Sequence, residues 1–328
     1  MKESEIRSRE AHNRYLALVE VDAERLAKDR AEFEFIRCPA CTSDLQTQVF
    51  AKMGFAYVEC DECETLFVNP RPPYATLMQL YEDSPSTKYW VQEFFRPMID
   101  ARREKIFRPR AAYVATRFPE LAKSRVADIG AGYGLFLEEL RARWPEVDAL
   151  AIEPSADMAA ILREKKIPVR EEMLEDVGVE EEGFALLTAF ELFEHLHDPE
   201  TFLRQVHSLL KPGGYFYLTT LNGLGFDIQL LWNSSKSVSP PHHLNFLNPH
   251  SMNTLLQRVG FEVLEISTPG ELDWDIIEGS FRAGESDPGR FFRMVALHGS
   301  PQSKLALQEW LRESGFSSHM RAVARRPL

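Results

Sequence analysis

From residue 125 onward, short apolar runs alternate with amphipathic stretches. RVADIG, VDALAIEP, FALLTAF and GYFYLTTLN read as four strands, the last entered through the turn KPGG. LFLEELRARW, SADMAAILREKK and PETFLRQVHSLL read as the helices between them. Strands alternating with helices of this length predict an α/β fold with a parallel sheet and right-handed crossovers. A further helix, PHSMNTLLQRV, has Asn248 at its N-cap and Pro249 in its first turn. Gly260 ends it before the strand FEVLEIS. Residues 268–315 are polar and mostly helical in pattern, and SSHMRAVARR alternates like a closing strand over 317–326. Upstream the texture differs. Residues 1–35 hold Leu16, Leu18, Val19 and Leu26 at mixed helical spacings, without Pro or Gly, and predict a helix. Residues 36–73 predict a small module with a β-ribbon around FAYVEC and TLFVNP, closed by NPRPP. Residues 74–122 predict a helical cap or linker, broken or kinked at Pro97.

The cysteines change this picture most. All four lie in the small module, as Cys38, Cys41, Cys60 and Cys63, a C-x2-C-x18-C-x2-C pattern. That is the spacing of a structural zinc site, because each pair can turn two thiolates toward one tetrahedral centre. Four unrelated thiols or two disulfides are the competing readings. Four thiolates would fill the coordination sphere, so Zn2+ here would be structural, with no position open for the water that catalytic zinc needs.

Length and charge narrow the function. A chain of 328 residues fits one large domain with attachments, or two domains. No apolar run approaches the roughly 20 residues of a membrane helix, and the charged start MKESEIRSRE lacks a secretory signal's apolar stretch. A cytoplasmic protein without a membrane partner is expected. A net charge of −12 argues against a nucleic-acid partner, which needs basic surface to neutralise phosphates.

The first strand of the α/β series runs into the turn VADIGAGYG, with glycines at 130, 132 and 134. A dinucleotide fingerprint would want its third glycine at 135, where Leu135 stands; the pattern here is D-x-G-x-G-x-G from Asp128. Glu153 falls at the end of the second strand, where a carboxylate can accept hydrogen bonds from two ribose hydroxyls. At these residues, and again at FELFEHLHDP and LLKPGGYFYLTTLN, the chain resembles the class I S-adenosylmethionine-dependent methyltransferases. The resemblance covers residues 123–268 and extends to the closing strand, so the methyltransferase domain is expected over 123–328. It implies a Rossmann-like seven-stranded fold and S-adenosylmethionine as cofactor. By it, Asp128, Gly130, Ala131, Gly132 and Gly134 would surround the methionyl part, Glu153 and Pro154 the ribose, Met173 and Leu174 the adenine, with Phe190 at the end of the third strand.

The four-cysteine module, NPRPP, a helical segment with KYW and the methyltransferase core together resemble a subgroup that includes deoxysugar C-methyltransferases. The stretch SPPHHLNFLNP, which follows the fourth strand after a loop, is similar to their EHLxxF segment. That similarity puts His243 in the position of a general base and His242 where those enzymes have Glu. His195, in FEHLH, is the other candidate. Either histidine can instead serve a turn or a backbone hydrogen bond. Tyr89, Trp90, Asn222 and Asn245 are candidates to line the acceptor site. The expected function is methyl transfer to a small molecule: a sugar, a polysaccharide precursor or a natural-product intermediate. The competing functions are O-methylation of quinone-like phenols, RNA or protein methylation, and cofactor binding without catalysis.

Overall fold

The alternating half of the chain folds on the predicted plan. A computed structural model describes residues 2–178 and 183–328. The strands are β1 (Gln46–Lys52), β2 (Phe55–Cys60), β3 (Leu66–Val68), β4 (Arg125–Ile129), β5 (Asp148–Ile152), β6 (Val169–Arg170), β7 (Phe184–Phe190), β8 (Leu210–Leu221), β9 (Asn245–Phe246), β10 (Glu262–Ser267) and β11 (His319–Arg325). Seven form one sheet in the order β10-β11-β8-β7-β4-β5-β6. β4 pairs in parallel with β5 on one side, Asp128 opposite Ala151, and with β7 on the other, Asp128 opposite Thr188. Ala127, Ala151 and Leu187 are buried to 2% exposure or less, as strands covered on both faces require.

The chain forms two compact units. One takes in Met98–Thr219, Asn253–Glu265 and Ala322–Leu328. Its core joins Val126, Phe136, Leu140, Ala149, Leu162 and Leu186 with Val114 of the helix Arg108–Arg117 and Phe118 just after it. The other takes in Met1–Pro97, Thr220–Met252 and Ile266–Arg321. It carries a four-stranded sheet, β1-β2-β3-β9, packed around Phe55, Tyr57, Leu66, Leu77, Leu244 and Phe246.

Several elements differ from the sequence pattern, each for a local reason. The N-terminal helix is Arg9–Leu26, and the chain tightens into a 3-10 stretch, Ala27–Glu32, before Phe33 turns extended. The break expected at Pro97 is a 3-10 turn, Arg96–Met98, lying between π-helical segments at Trp90–Phe95 and Arg103–Phe107. KPGG does not precede the fourth strand but lies within it. Phe184 pairs with Leu210 and Leu186 with Tyr215, so the extra residues bulge out with Gly213 at φ 77°. Residues 268–315 resolve into three helices, Asp273–Arg282, Arg290–His298 and Pro301–Glu313. No helix among the described residues is long and apolar enough to cross a membrane.

Candidate active site and cysteine centre

The cradle at the carboxyl end of β4 begins with Asp128, whose side chain is 3% exposed. Thr188, its neighbour on β7, donates to its Oδ1 at 2.6 Å. Burial pushes the Asp128 carboxyl up to about 7, against the Thr188 hydroxyl and the Arg110 charge, which pull it down; the nearby Glu153 adds to the rise. The backbone then turns through Gly130, Gly132 and Gly134, all at positive φ. These glycines are not equivalent. A Cβ at Gly134 would lie 2.5 Å from Leu162 Cδ2 and 2.8 Å from Ile167 Cδ1, so that position is reserved for packing under the helix Leu135–Arg143. A Cβ at Gly132 would meet nothing within 4 Å, so the turn faces open space there.

Glu153 closes the cradle from the end of β5. Its Oε2 accepts from Gly132 N–H at 2.8 Å and its Oε1 from Ser155 N–H at 3.0 Å. Burial raises its pKa, and those two N–H groups partly offset the rise. A carboxylate has about four acceptor sites. Two are used, and the others can take the paired hydroxyls of a ribose. The open space at Gly132 and the unspent acceptor capacity of Glu153 fit an adenosyl cofactor.

Ala131 packs against the core, Pro154 is exposed, and Met173 precedes the 3-10 turn Leu174–Asp176, with Leu174 buried. Phe190 meets Phe136 edge-on at 4.7 Å, and the Arg110 guanidinium lies 4.8 Å from its ring centre. Arg110 also pairs with Glu191 Oε1 at 2.5 Å, which accepts from the Thr219 hydroxyl at 2.7 Å as well. Glu191 sits at φ 51°, a left-handed backbone rare for a side-chain-bearing residue. Sequence reasoning missed Arg110, Thr188 and Glu191, because nothing in local spacing ties helix Arg108–Arg117 to the end of β7. His195 ends the 3-10 turn Phe193–His195 and is half-buried.

In the ribbon-bearing unit the four cysteines come together as free thiols, all four sulfurs within 4.8 Å of one another. Cys38 and Cys63 are 3.5 Å apart, as are Cys41 and Cys60. Zn–S bonds of about 2.3 Å in a tetrahedron need sulfurs about 3.8 Å apart, so the donor set fits zinc. The two C-x2-C turns are copies of one another. Thr42 N–H bonds Cys38 O and Glu64 N–H bonds Cys60 O, both at 2.9 Å; Cys38 N–H bonds Ser43 O and Cys60 N–H bonds Thr65 O, both at 3.0 Å. Thr42 and Glu64 both take positive φ, directly after the second cysteine of each pair.

The double histidine belongs to this same unit. β9 pairs with β3, Phe246 opposite Leu66 and Asn245 opposite Phe67, and Val68 N–H bonds Leu244 O at 2.9 Å. Asn248 caps its helix through Ser251 N–H and donates to the Cys63 carbonyl at 2.8 Å. The Tyr57 hydroxyl donates to His243 O at 3.0 Å. His243 Nδ1 lies 2.7 Å from the Ser237 carbonyl. A carbonyl only accepts, so Nδ1 carries the proton and Nε2 is the nitrogen able to take another. His242 is buried, its Nε2 2.8 Å from Ser86 Oγ. Asn245 accepts from the fully buried Arg71 at 3.0 Å. The Asn222 amide donates to Gly315 O and Ser317 O and accepts from Leu224 N–H, which engages it with backbone. Tyr89 is half-buried, and Trp90 stacks on Phe94 at 4.4 Å.

A sheet in which β4 to β8 run parallel, with a glycine turn after β4 and a buried acid at the end of β5, defines a class of enzymes that bind an adenosyl cofactor. The family model described as "Methyltransferase domain" matches residues 99–266. The chain belongs to this family and is an S-adenosylmethionine-dependent methyltransferase. It is 31% identical over 169 residues to the ubiquinone biosynthesis O-methyltransferase of Xanthomonas euvesicatoria pv. vesicatoria, covering 48% of this chain and 70% of that protein. The enzyme of the same name from Xanthomonas axonopodis pv. citri is 30% identical over the same shares. Among solved structures, an S-adenosylmethionine dependent methyltransferase from Mesorhizobium loti matches with 16% identity and a TM-score of 0.46, over 66% of this chain and 98% of that one.

Proposed function

We propose that the chain transfers the methyl group of S-adenosylmethionine to an ionisable hydroxyl of a small molecule, with His243 as general base. The tautomer of His243 carries this reading: Nδ1–H is tied to Ser237 O, which turns the basic Nε2 outward from that bond. The name of the two Xanthomonas relatives favours oxygen as the acceptor atom. Bound in this cradle, the cofactor would supply an electrophilic methyl carbon on a sulfur that serves as the leaving group. The acceptor's proton goes to His243. In the cradle, Asp128 would pair with the methionyl ammonium, Arg110 with its carboxylate, and Glu153 with the ribose. The four cysteines would hold one structural Zn2+. A second reading, methylation of a sugar carbon, draws on the similarity of the histidine segment to the sugar enzymes.

Incubation with methyl-labelled cofactor and either a catechol or a keto-sugar nucleotide separates these readings. Label is expected in the catechol. His243→Asn, which can still donate to Ser237 O, is expected to lower kcat by about 100-fold or more while leaving cofactor affinity unchanged. Transfer to neither acceptor by protein that binds cofactor would defeat the proposal.

The role of Asp128 has a pH signature. With its pKa at about 7, the carboxyl must lose a proton to pair with the ammonium. Cofactor affinity is therefore expected to rise with pH up to about 7, approaching tenfold per unit, and then to level off. Stability without cofactor runs the other way. The folded chain holds this proton more tightly than the unfolded one, so stability falls as pH climbs from about 4 to about 7. Titrations of wild type and Asp128→Asn check both trends; a pH-independent affinity in the wild type contradicts them.

A further inference from the structure

The helix Arg9–Leu26 buries His12, Val19, Asp22, Ala23 and Leu26, and two of these are polar. Asp22 is 1% exposed. Its Oδ2 accepts from Ser86 N–H at 3.2 Å, but its Oδ1 has no hydrogen-bond partner among the described residues. A carboxylate oxygen left so in the interior is costly unless something donates to it. Two cations of this unit are committed elsewhere. Lys236 bonds Asn13 and Glu285, and Arg7 pairs with Glu3. Burial, reinforced by the charges of Arg7, Lys236 and His243, pushes His12 down to about 2, so it is neutral.

Aromatic rings gather in the same unit. Tyr15, on the Asp22 helix, lies 4.9 Å from Trp90 and 6.0 Å from Phe94. Tyr15 stands about two helical turns before Asp22 on the helix Arg9–Leu26, so the two side chains share one face of it. Trp90 opens the π-helical segment Trp90–Phe95, a rare turn common at functional sites. Ser86, which binds Asp22 through its N–H, meets His242 through its hydroxyl, and the His242 ring is 6.3 Å from Tyr15 and 5.5 Å from Tyr81. Ser239 Oγ, three residues before His242, is another buried polar atom without a partner among the described residues.

We propose that Asp22 anchors the protonated amine of a small organic ligand, with Tyr15 and Trp90 against its face. An ammonium supplies the donor that Oδ1 lacks, and aromatic faces attract it further. A guanidinium would want both carboxylate oxygens, and Oδ2 is already bonded. The site is made wholly of residues of the ribbon-bearing unit and uses none of the cofactor cradle.

The test is calorimetry of the full chain with 2-phenylethylamine, tyramine and glucosamine, set against the neutral analogues 2-phenylethanol and glucose. Saturable binding of at least one amine is expected, at least about tenfold tighter than its neutral analogue, a difference of about 1.4 kcal/mol. Asp22→Asn keeps an acceptor for Ser86 N–H but removes the charge, and should weaken the amine by a similar factor at unchanged Tm. Tyr15→Leu, which retains Asp22, should weaken it less. No saturable amine binding in the wild type, or equal binding in Asp22→Asn, overturns the proposal. S-adenosylhomocysteine titrated into the same samples keeps a failure here distinct from a failure of the methyltransferase reading.

Discussion

Glu153→Ala is expected to lower affinity for S-adenosylhomocysteine by at least about 100-fold. The carboxylate sits at the end of β5 with one backbone N–H on each oxygen, and its remaining lone pairs are the acceptors available for two ribose hydroxyls. Hydrogen bonds to a charged group contribute about 1.5–3 kcal/mol each, so the loss of two spans at least two orders of magnitude. The variant also leaves the N–H of Gly132 without its acceptor, at the one glycine of the turn where an added Cβ meets open space. Burial already works against the ionised side chain, so the fold depends on it less than binding does. A Tm within a few degrees of wild type is the expected companion result, which separates lost recognition from lost structure. Glu153→Gln keeps one acceptor oxygen and should fall between the two.

The second large effect concerns the cysteines. One zinc per chain is expected by elemental mass spectrometry, and Cys60→Ser or a strong chelator should remove it. Structural zinc contributes about 10–16 kcal/mol in isolated zinc-finger peptides, so its loss should unfold the ribbon rather than loosen it. The consequence should not stop at β1–β3. β9 is the neighbour of β3, Asn248 bonds the Cys63 carbonyl, and Tyr57 of β2 bonds the His243 carbonyl. Amide hydrogen exchange should therefore accelerate over 239–248 together with 38–68. Metal-free wild-type protein that shows the same protection in both segments would contradict this coupling.

What was legible in the sequence follows from how far each signal reaches. Cysteine spacing and the glycine turn are local patterns, each visible as a regular spacing along the chain. Glu153 was legible because a strand end can be counted from the apolar run ALAI. Arg110 and Thr188 were not, because they reach Asp128 only through the packing of a preceding helix and the pairing of β4 with β7. β9 was illegible for the same kind of reason. Two residues cannot specify a strand alone, and Asn245–Phe246 is extended because β3 offers it an edge. So the histidine segment could be picked out for its residues but not for its tie to the cysteine ribbon. The bulge at KPGG shows the opposite error: a strong turn signal, taken as a boundary, was absorbed within a strand.

The central claim is that the turn at Gly132 and the carboxylate of Glu153 form the seat of an adenosyl cofactor. Calorimetric titration of wild type and Glu153→Ala with S-adenosylhomocysteine, side by side, tests it most directly. One equivalent bound by the wild type, and affinity weaker by at least about 100-fold in a folded variant, is the predicted result. Equal affinity in the two proteins, or no binding by the wild type, would contradict it.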